Sequence, residues 1–92
     1  MSFTVPQIIS GTLTGGIAQT FTAISPANRQ LLVENTDNLN NFTVKINGST
    51  IGWTLLPGTR LGYSPIGGID TIVLTPSTGT NTTFQVMLGL VG

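Results

Sequence analysis

Three carboxylates (Glu34, Asp37, Asp70) and three cations (Arg29, Lys45, Arg60) are the whole charged complement of this 92-residue chain, which has no histidine and no cysteine. That inventory decides most of the chemistry. Glycoside hydrolysis needs two carboxyl groups flanking one bond, and three scattered carboxylates read instead as solvated or turn residues. Zinc sites are built from thiolates and imidazoles, which are missing. A nucleophilic hydroxyl needs a histidine or lysine base beside it. Lys45 falls at an outward strand position. The glycine-rich stretches "GTLTGG" (11–16) and "GGID" (67–70) match neither a phosphate-binding loop nor a dinucleotide fingerprint. The residues therefore predict a protein that is not an enzyme and holds no metal or cofactor.

Binding chemistry has more candidates. Trp53 and Tyr63 could form a stacking platform for sugars beside the "TDNLNN" loop (36–41). Trp53, however, shares the alternating face of Ile51 and Leu55, which predicts core packing. Arg29 opens an otherwise apolar strand. Its guanidinium could fork onto a neighbour's carboxylate or carbonyls, or pair internally with Glu34 or Asp70. Asn41, Asn47 and Asn81 head N-x-S/T sequons, which are glycosylated only in a secretory pathway. "MSFTVPQIIS" has neither a basic n-region nor an apolar h-region, so a signal peptide is not expected.

The elements that must position these residues are strands. Apolar residues alternate, and Gly, Pro, Asn and Thr interrupt every few residues. Extended segments are predicted at 17–24, 29–35, 42–46, 50–56, 69–75 and 82–91. Leu31 and Val33 point inward in 29–35, as do Phe42, Val44 and Ile46 in 42–46. Turns are predicted at "SPAN" (25–28), at Asn47-Gly48, the strongest two-residue hairpin signal, at Pro57-Gly58, in the manner of a type II turn, and at 76–81. Seven or eight short strands without a crossover helix imply an all-β, small antiparallel β-sandwich, jelly-roll or Greek-key-like. The expected layout is an extended N-terminal arm over 1–10 and one sandwich domain over 11–92.

Charged residues make up 7% of the chain and cancel, against about 25% in ordinary domains. With no net field, neither nucleic acid nor an anionic membrane is an expected partner. Little self-repulsion remains to keep copies apart. Two segments carry apolar residues on both alternating faces. In 69–75 these are Ile69 and Val73 against Ile72 and Leu74. In 82–91 Phe84, Val86, Leu88 and Leu90 oppose Met87 and Val91. In a domain this small, the second face is expected to meet another subunit. The arm, with Phe3, Val5, Ile8 and Ile9 and no charge, is expected to dock against a neighbour or along its own sheet edge. Pro6 bars it from a central position. The expected interface set is thus Phe3, Val5, Ile8, Ile9, Arg29, Ile72, Leu74, Met87 and Val91.

"NRQLLVEN…FTVKING…LLPGTRLGY…IDTIVLTPSTGTNTTFQVML" resembles small tailed-phage virion proteins of the β-sandwich type. The resemblance rests on Asn28, Arg29, Leu31, Val33, Asn35, Val44, Ile46, Gly48, Leu55, Pro57, Gly58, Ile69, Ile72, Phe84 and Val86, across residues 17–91. It implies a virion structural protein, above all a capsid decoration (cement) protein. Such a protein would be made in the host cytoplasm and would bind the major capsid protein or other virion proteins as a homo-oligomer, with a trimer favoured. A tail, baseplate or fibre-base component is the related alternative. A carbohydrate-binding adhesion module, built on Trp53, Tyr63 and the 36–41 loop, is the alternative from another class.

Overall fold

In the computed structural model the described residues are 7–22, 28–63, 68–77 and 79–90, without the side chains of Asn28, Arg29 and Leu90. Phe3, Val5 and Val91, the Arg29 side chain and most of the 25–28 turn lie outside this set. The chain forms eight strands: β1 (Gln7–Leu13), β2 (Gln19–Thr22), β3 (Asn28–Asn35), β4 (Phe42–Ile46), β5 (Trp53–Leu55), β6 (Arg60–Tyr63), β7 (Thr71–Pro76) and β8 (Thr82–Leu90). They build two four-stranded antiparallel sheets, ordered β1-β8-β3-β6 and β2-β7-β4-β5. Every consecutive pair except β4–β5 changes sheet. This is the strand order of an eight-stranded jelly roll. The expected all-β sandwich is the fold.

Alternation builds the core. Inward residues of the first sheet (Leu13, Leu31, Val33, Phe84, Val86, Leu88) meet Phe42, Val44, Leu55, Ile72 and Leu74 of the second, all buried. Phe21 closes the layer with its ring 5.5 Å from that of Phe84, tilted at 47°. Aromatic pairs favour such inclined contacts.

Two expectations are corrected here. Ile72 and Leu74 do not face a neighbour: both are fully buried between the sheets. The strand starts at Thr71, so Ile69 is a loop residue that folds into the core without obeying the alternation. The apparent second face of 69–75 thus reduces to Val73 among threonines. The arm boundary also moves. Residues 7–10 are not an arm; they pair with Leu88 to Gln85 of β8 as an edge strand. Ile9 packs on the core and Ile8 points outward.

The turns follow their sequence chemistry. Asn47 and Gly48 both have positive φ, 53° and 78°, and the Ser49 N–H donates to Ile46 O at 3.0 Å, as a primed hairpin turn requires. A β-carbon on Gly48 would meet nothing within 4 Å, so the cost of Gly48→Val is backbone strain alone. Thermal melting of that variant should show a loss of about 1–2 kcal/mol. Gly58, with φ 74°, and the bond from Thr59 N–H to Leu56 O at 3.1 Å complete the turn expected at Pro57-Gly58.

One core position is a polar mismatch. Thr82 is fully buried and its Oγ1 has no hydrogen-bond partner among the described residues. An unpaired buried hydroxyl is destabilising, and valine has nearly its shape with better strand propensity. Thr82→Val should therefore raise stability by about 0.5–1 kcal/mol in chemical denaturation. A loss of stability would mean that the hydroxyl is satisfied.

Candidate functional site

The two outer faces of the sandwich differ in chemistry. On the β2-β7-β4-β5 sheet, Thr20, Thr22, Thr71, Thr75, Thr43 and Thr54 point outward around Val73 and Lys45. Hydroxyls and an ammonium hydrate well, so this face suits water. The β1-β8-β3-β6 sheet is different. Its register aligns Ile8, Met87, Leu32 and Gly62 in one row running across all four strands. The next row is Ser10, Gln85, Glu34 and Arg60. An apolar stripe therefore lies beside a polar one.

Ile8 is 58% exposed and Met87 39%, although both are paired within strands. Gly62 and Gly89 add no side chain, so the surface sinks beside Met87 and Leu32. One hollow of about 360 Å³ is lined by Leu32, Gly62, Met87, Gly89, Gln30 and Tyr63, among others. A second, of about 240 Å³, lies between Ile8, Leu32, Met87 and the polar row. Arg60 and Glu34 pair at 3.3 Å at its rim. This exposed pair contributes little to stability, but it neutralises both charges beside the stripe. Among the described residues Glu34 pairs with Arg60; the pairing expected for Arg29 falls on a side chain outside that set.

One end of the sandwich is a web of asparagines. The β1–β2, β3–β4, β5–β6 and β7–β8 connections all emerge there. Asn35 is fully buried at the end of β3. Its Nδ2 donates to Asn40 O (2.9 Å) and Leu55 O (3.0 Å), and its Oδ1 accepts the Asp37 N–H (2.9 Å). Asn40 Nδ2 donates to Asn81 O (3.1 Å), and Gly15 N–H donates to Asn81 Oδ1 (3.0 Å). The Asp37 carboxylate accepts the N–H groups of Asn40 (2.8 Å) and Leu39 (3.0 Å). Those bonds, Asn40's first, hold its pKa below the usual carboxylate value because they favour the charged form. A depressed carboxylate pKa makes the loop's contribution complete above the ordinary range and lost as pH falls through the lowered value. At the opposite end Asn47 ties the β4–β5 turn down, donating to Gly68 O (3.0 Å) and accepting from Asp70 N–H (2.7 Å) and Thr71 N–H (3.2 Å).

The expected sites divide accordingly. Ile8 and Met87 are brought together on the apolar row, and Ile9 lies behind them. Ile72 and Leu74 are core. Trp53 is not packed in the core as expected. It is 62% exposed and Ile51 82%, because β5 is a three-residue edge strand whose inward side overhangs the end of the core. Tyr63, 49% exposed, lines the same hollow of about 270 Å³ as Trp53. The 36–41 loop lies at the other end of the sandwich from the β4–β5 turn, so it does not join them. Gly62 and Gly89 were missed as surface determinants, and Leu32, read as outward, was not placed in the interface set. An outward leucine was legible, but its alignment with Met87 depends on register between residues 55 apart in sequence.

Among the described residues no group of three histidine, cysteine, aspartate or glutamate side chains could hold a metal ion. Nor, among those residues, is any helix long and apolar enough to cross a membrane. No family model matches the chain, and no curated protein matches it. Among solved structures it superposes on one described as a "putative mannose-6-phosphate isomerase", from Ralstonia eutropha JMP134, at 11% identity and a TM-score of 0.49, over 94% of this chain and 71% of that one.

Proposed function

We propose that this chain is a virion structural protein, a capsid decoration (cement) subunit that binds and stabilises a phage head shell as an oligomer. The observation that carries the reading is the Ile8–Met87–Leu32–Gly62 row on the outer face of the first sheet. Contiguous exposed apolar surface rimmed by polar residues marks interaction sites, and this row, flanked by a polar one, contrasts with the opposite face, which is covered with threonine. The resemblance of residues 17–91 to tailed-phage virion proteins supplies the kind of partner. Mechanically, a subunit bridging neighbouring capsomers adds roughly 1,000–2,000 Å² of buried interface that the bare shell lacks. Zero net charge lets copies crowd on a lattice without long-range repulsion.

Head shells of the encoding phage, freed of this chain and then resupplied with it, should take it up at saturating, lattice-defined occupancy. Cryo-EM should then show the β1-β8-β3-β6 sheet against the shell or a sister subunit. Density at the tail or baseplate, or no uptake by the shell, overturns the reading.

A further inference from the structure

We propose that the hollow between β5 and β6 is a binding site for a neutral saccharide. The sandwich is closed on one side and open on the other. On the closed side, Gln7 Nε2 reaches Thr22 O at 3.4 Å and Gln19 Nε2 reaches Thr12 O at 3.5 Å, linking edge strands β1 and β2. On the open side β5 and β6 are both short edges of their sheets. Among the described residues their inward side chains Trp53 and Tyr63, opposite Val44 and Leu31 in register, therefore face a gap.

Two half-exposed or more exposed aromatic rings thus border one shallow concavity of about 270 Å³, floored by Val44 and Ile46. Ser49 shapes its rim: Oγ donates to Ile51 O at 2.8 Å and accepts the Ile51 N–H at 3.3 Å. The Trp53 indole N–H and the Tyr63 hydroxyl make no hydrogen bond among the described residues, so both remain available to a ligand.

The lining selects the ligand class. Among the described residues it contains no charged side chain, so an anion or cation would be desolvated there without a partner. The hollow is smaller than the roughly 300–1,000 Å³ of sites for drug-sized ligands, which suits one end of a glycan. A purely apolar ligand would keep much of its surface in water in so open a site. A saccharide has the complementary character: an apolar ring face to lie on an aromatic face and hydroxyls for the indole, the phenol and solvent. A nucleobase could stack too, but its phosphates would find no cation here. An extended peptide would need a longer edge than three or four residues to form a ladder.

Trp53 is the sole tryptophan, so its fluorescence reports on the site directly. The full chain is titrated with neutral tetrasaccharides built from glucose, mannose, galactose or N-acetylglucosamine, with a sialylated glycan and an uncharged octapeptide as comparators. At least one neutral sugar should give a saturable change with a Kd of about 1 mM or tighter. Tyr63→Ala should weaken it about tenfold or more while Tyr63→Phe retains most of the affinity. Calorimetry on Trp53→Ala should show binding lost with the melting temperature kept. No saturation by any neutral sugar up to ~10 mM overturns the proposal. So does a response only to the sialylated glycan or the peptide, one that follows protein concentration alone, or one untouched by Tyr63→Ala. Met87→Lys should leave sugar binding intact, so failure here and failure of shell docking are read separately.

Discussion

Asn35→Ala should lower the melting temperature by roughly 12–24 °C, equivalent to about 3 kcal/mol in a domain of this size. The side chain is fully buried and makes three hydrogen bonds, two donated to Asn40 O and Leu55 O and one accepted from Asp37 N–H. Deleting it strands those three backbone groups and opens a small void. The main chain of Asn35 is itself bonded to the β5–β6 turn, its N–H to Thr59 O at 2.9 Å and its O from Gly58 N–H at 3.0 Å. One residue thus fixes the end of β3, the 36–41 loop and the Pro57-Gly58 turn together. Asn35→Asp is the sharper variant. It keeps the volume and the acceptor for Asp37, but replaces the two-donor amide with an oxygen facing two carbonyl oxygens. A buried carboxylate in that position is driven to protonate, so Asp at 35 should be at least as damaging at neutral pH and partly recover on acidification. A chemical-denaturation series from pH 4 to 8 checks this. An Asn35→Ala variant within about 1 kcal/mol of the parent would show that the end web is not a stability element.

Asn35 also shows where sequence reasoning stops. A strand ending in asparagine before a polar loop was legible, and so was the alternation that buries Leu31 and Val33. The partners of its amide, Asn40 and Leu55, were not, because they depend on how two turns meet in space. The same limit governs the faces. Period-two counting assumes that a segment is one uninterrupted strand. It succeeds for β8, where Phe84, Val86 and Leu88 are buried and Met87 is exposed. It fails at 69–75, where Ile69 enters the core from a loop and makes one face look like two. Trp53 fails for a different reason. Its parity is inward, but inwardness means burial only where the opposing sheet reaches, and β6 does not cover it. The turns were legible at Asn47-Gly48 and Pro57-Gly58 because φ > 0 is a local demand that few residues meet. The apolar row was half legible: Met87 and Ile8 could be picked as outward apolar residues, whereas their alignment with Leu32 and Gly62 is a property of register.

Met87→Lys should abolish docking through that row while leaving the subunit folded. In the isolated chain Met87 lies on the outer face and is 39% exposed. A lysine there can lay its aliphatic stem along Ile8 and Leu32 and keep the ammonium in water, so melting should change by less than about 1 kcal/mol. In a docked state the same ammonium is covered at the centre of the row. The carboxylate of the adjoining row, Glu34, is already engaged by Arg60. An unpaired charge buried in an interface costs about 2–5 kcal/mol, which weakens binding by roughly 30-fold to several thousand-fold. Thr20→Lys is the matching control. It places the same charge on the exposed outer face of the other sheet and should leave docking unchanged. Sedimentation velocity on the free protein and uptake by head shells read the two levels of assembly. If Met87→Lys lost uptake but kept oligomer size, the row would meet the shell, and if it lost both, the row would join sister subunits. Parent-like behaviour in both assays would remove the row from the interface altogether. The threonine face would then be the surface left to test, because a flat array of hydroxyls can still bind through ordered water, though without the apolar area that makes docking tight.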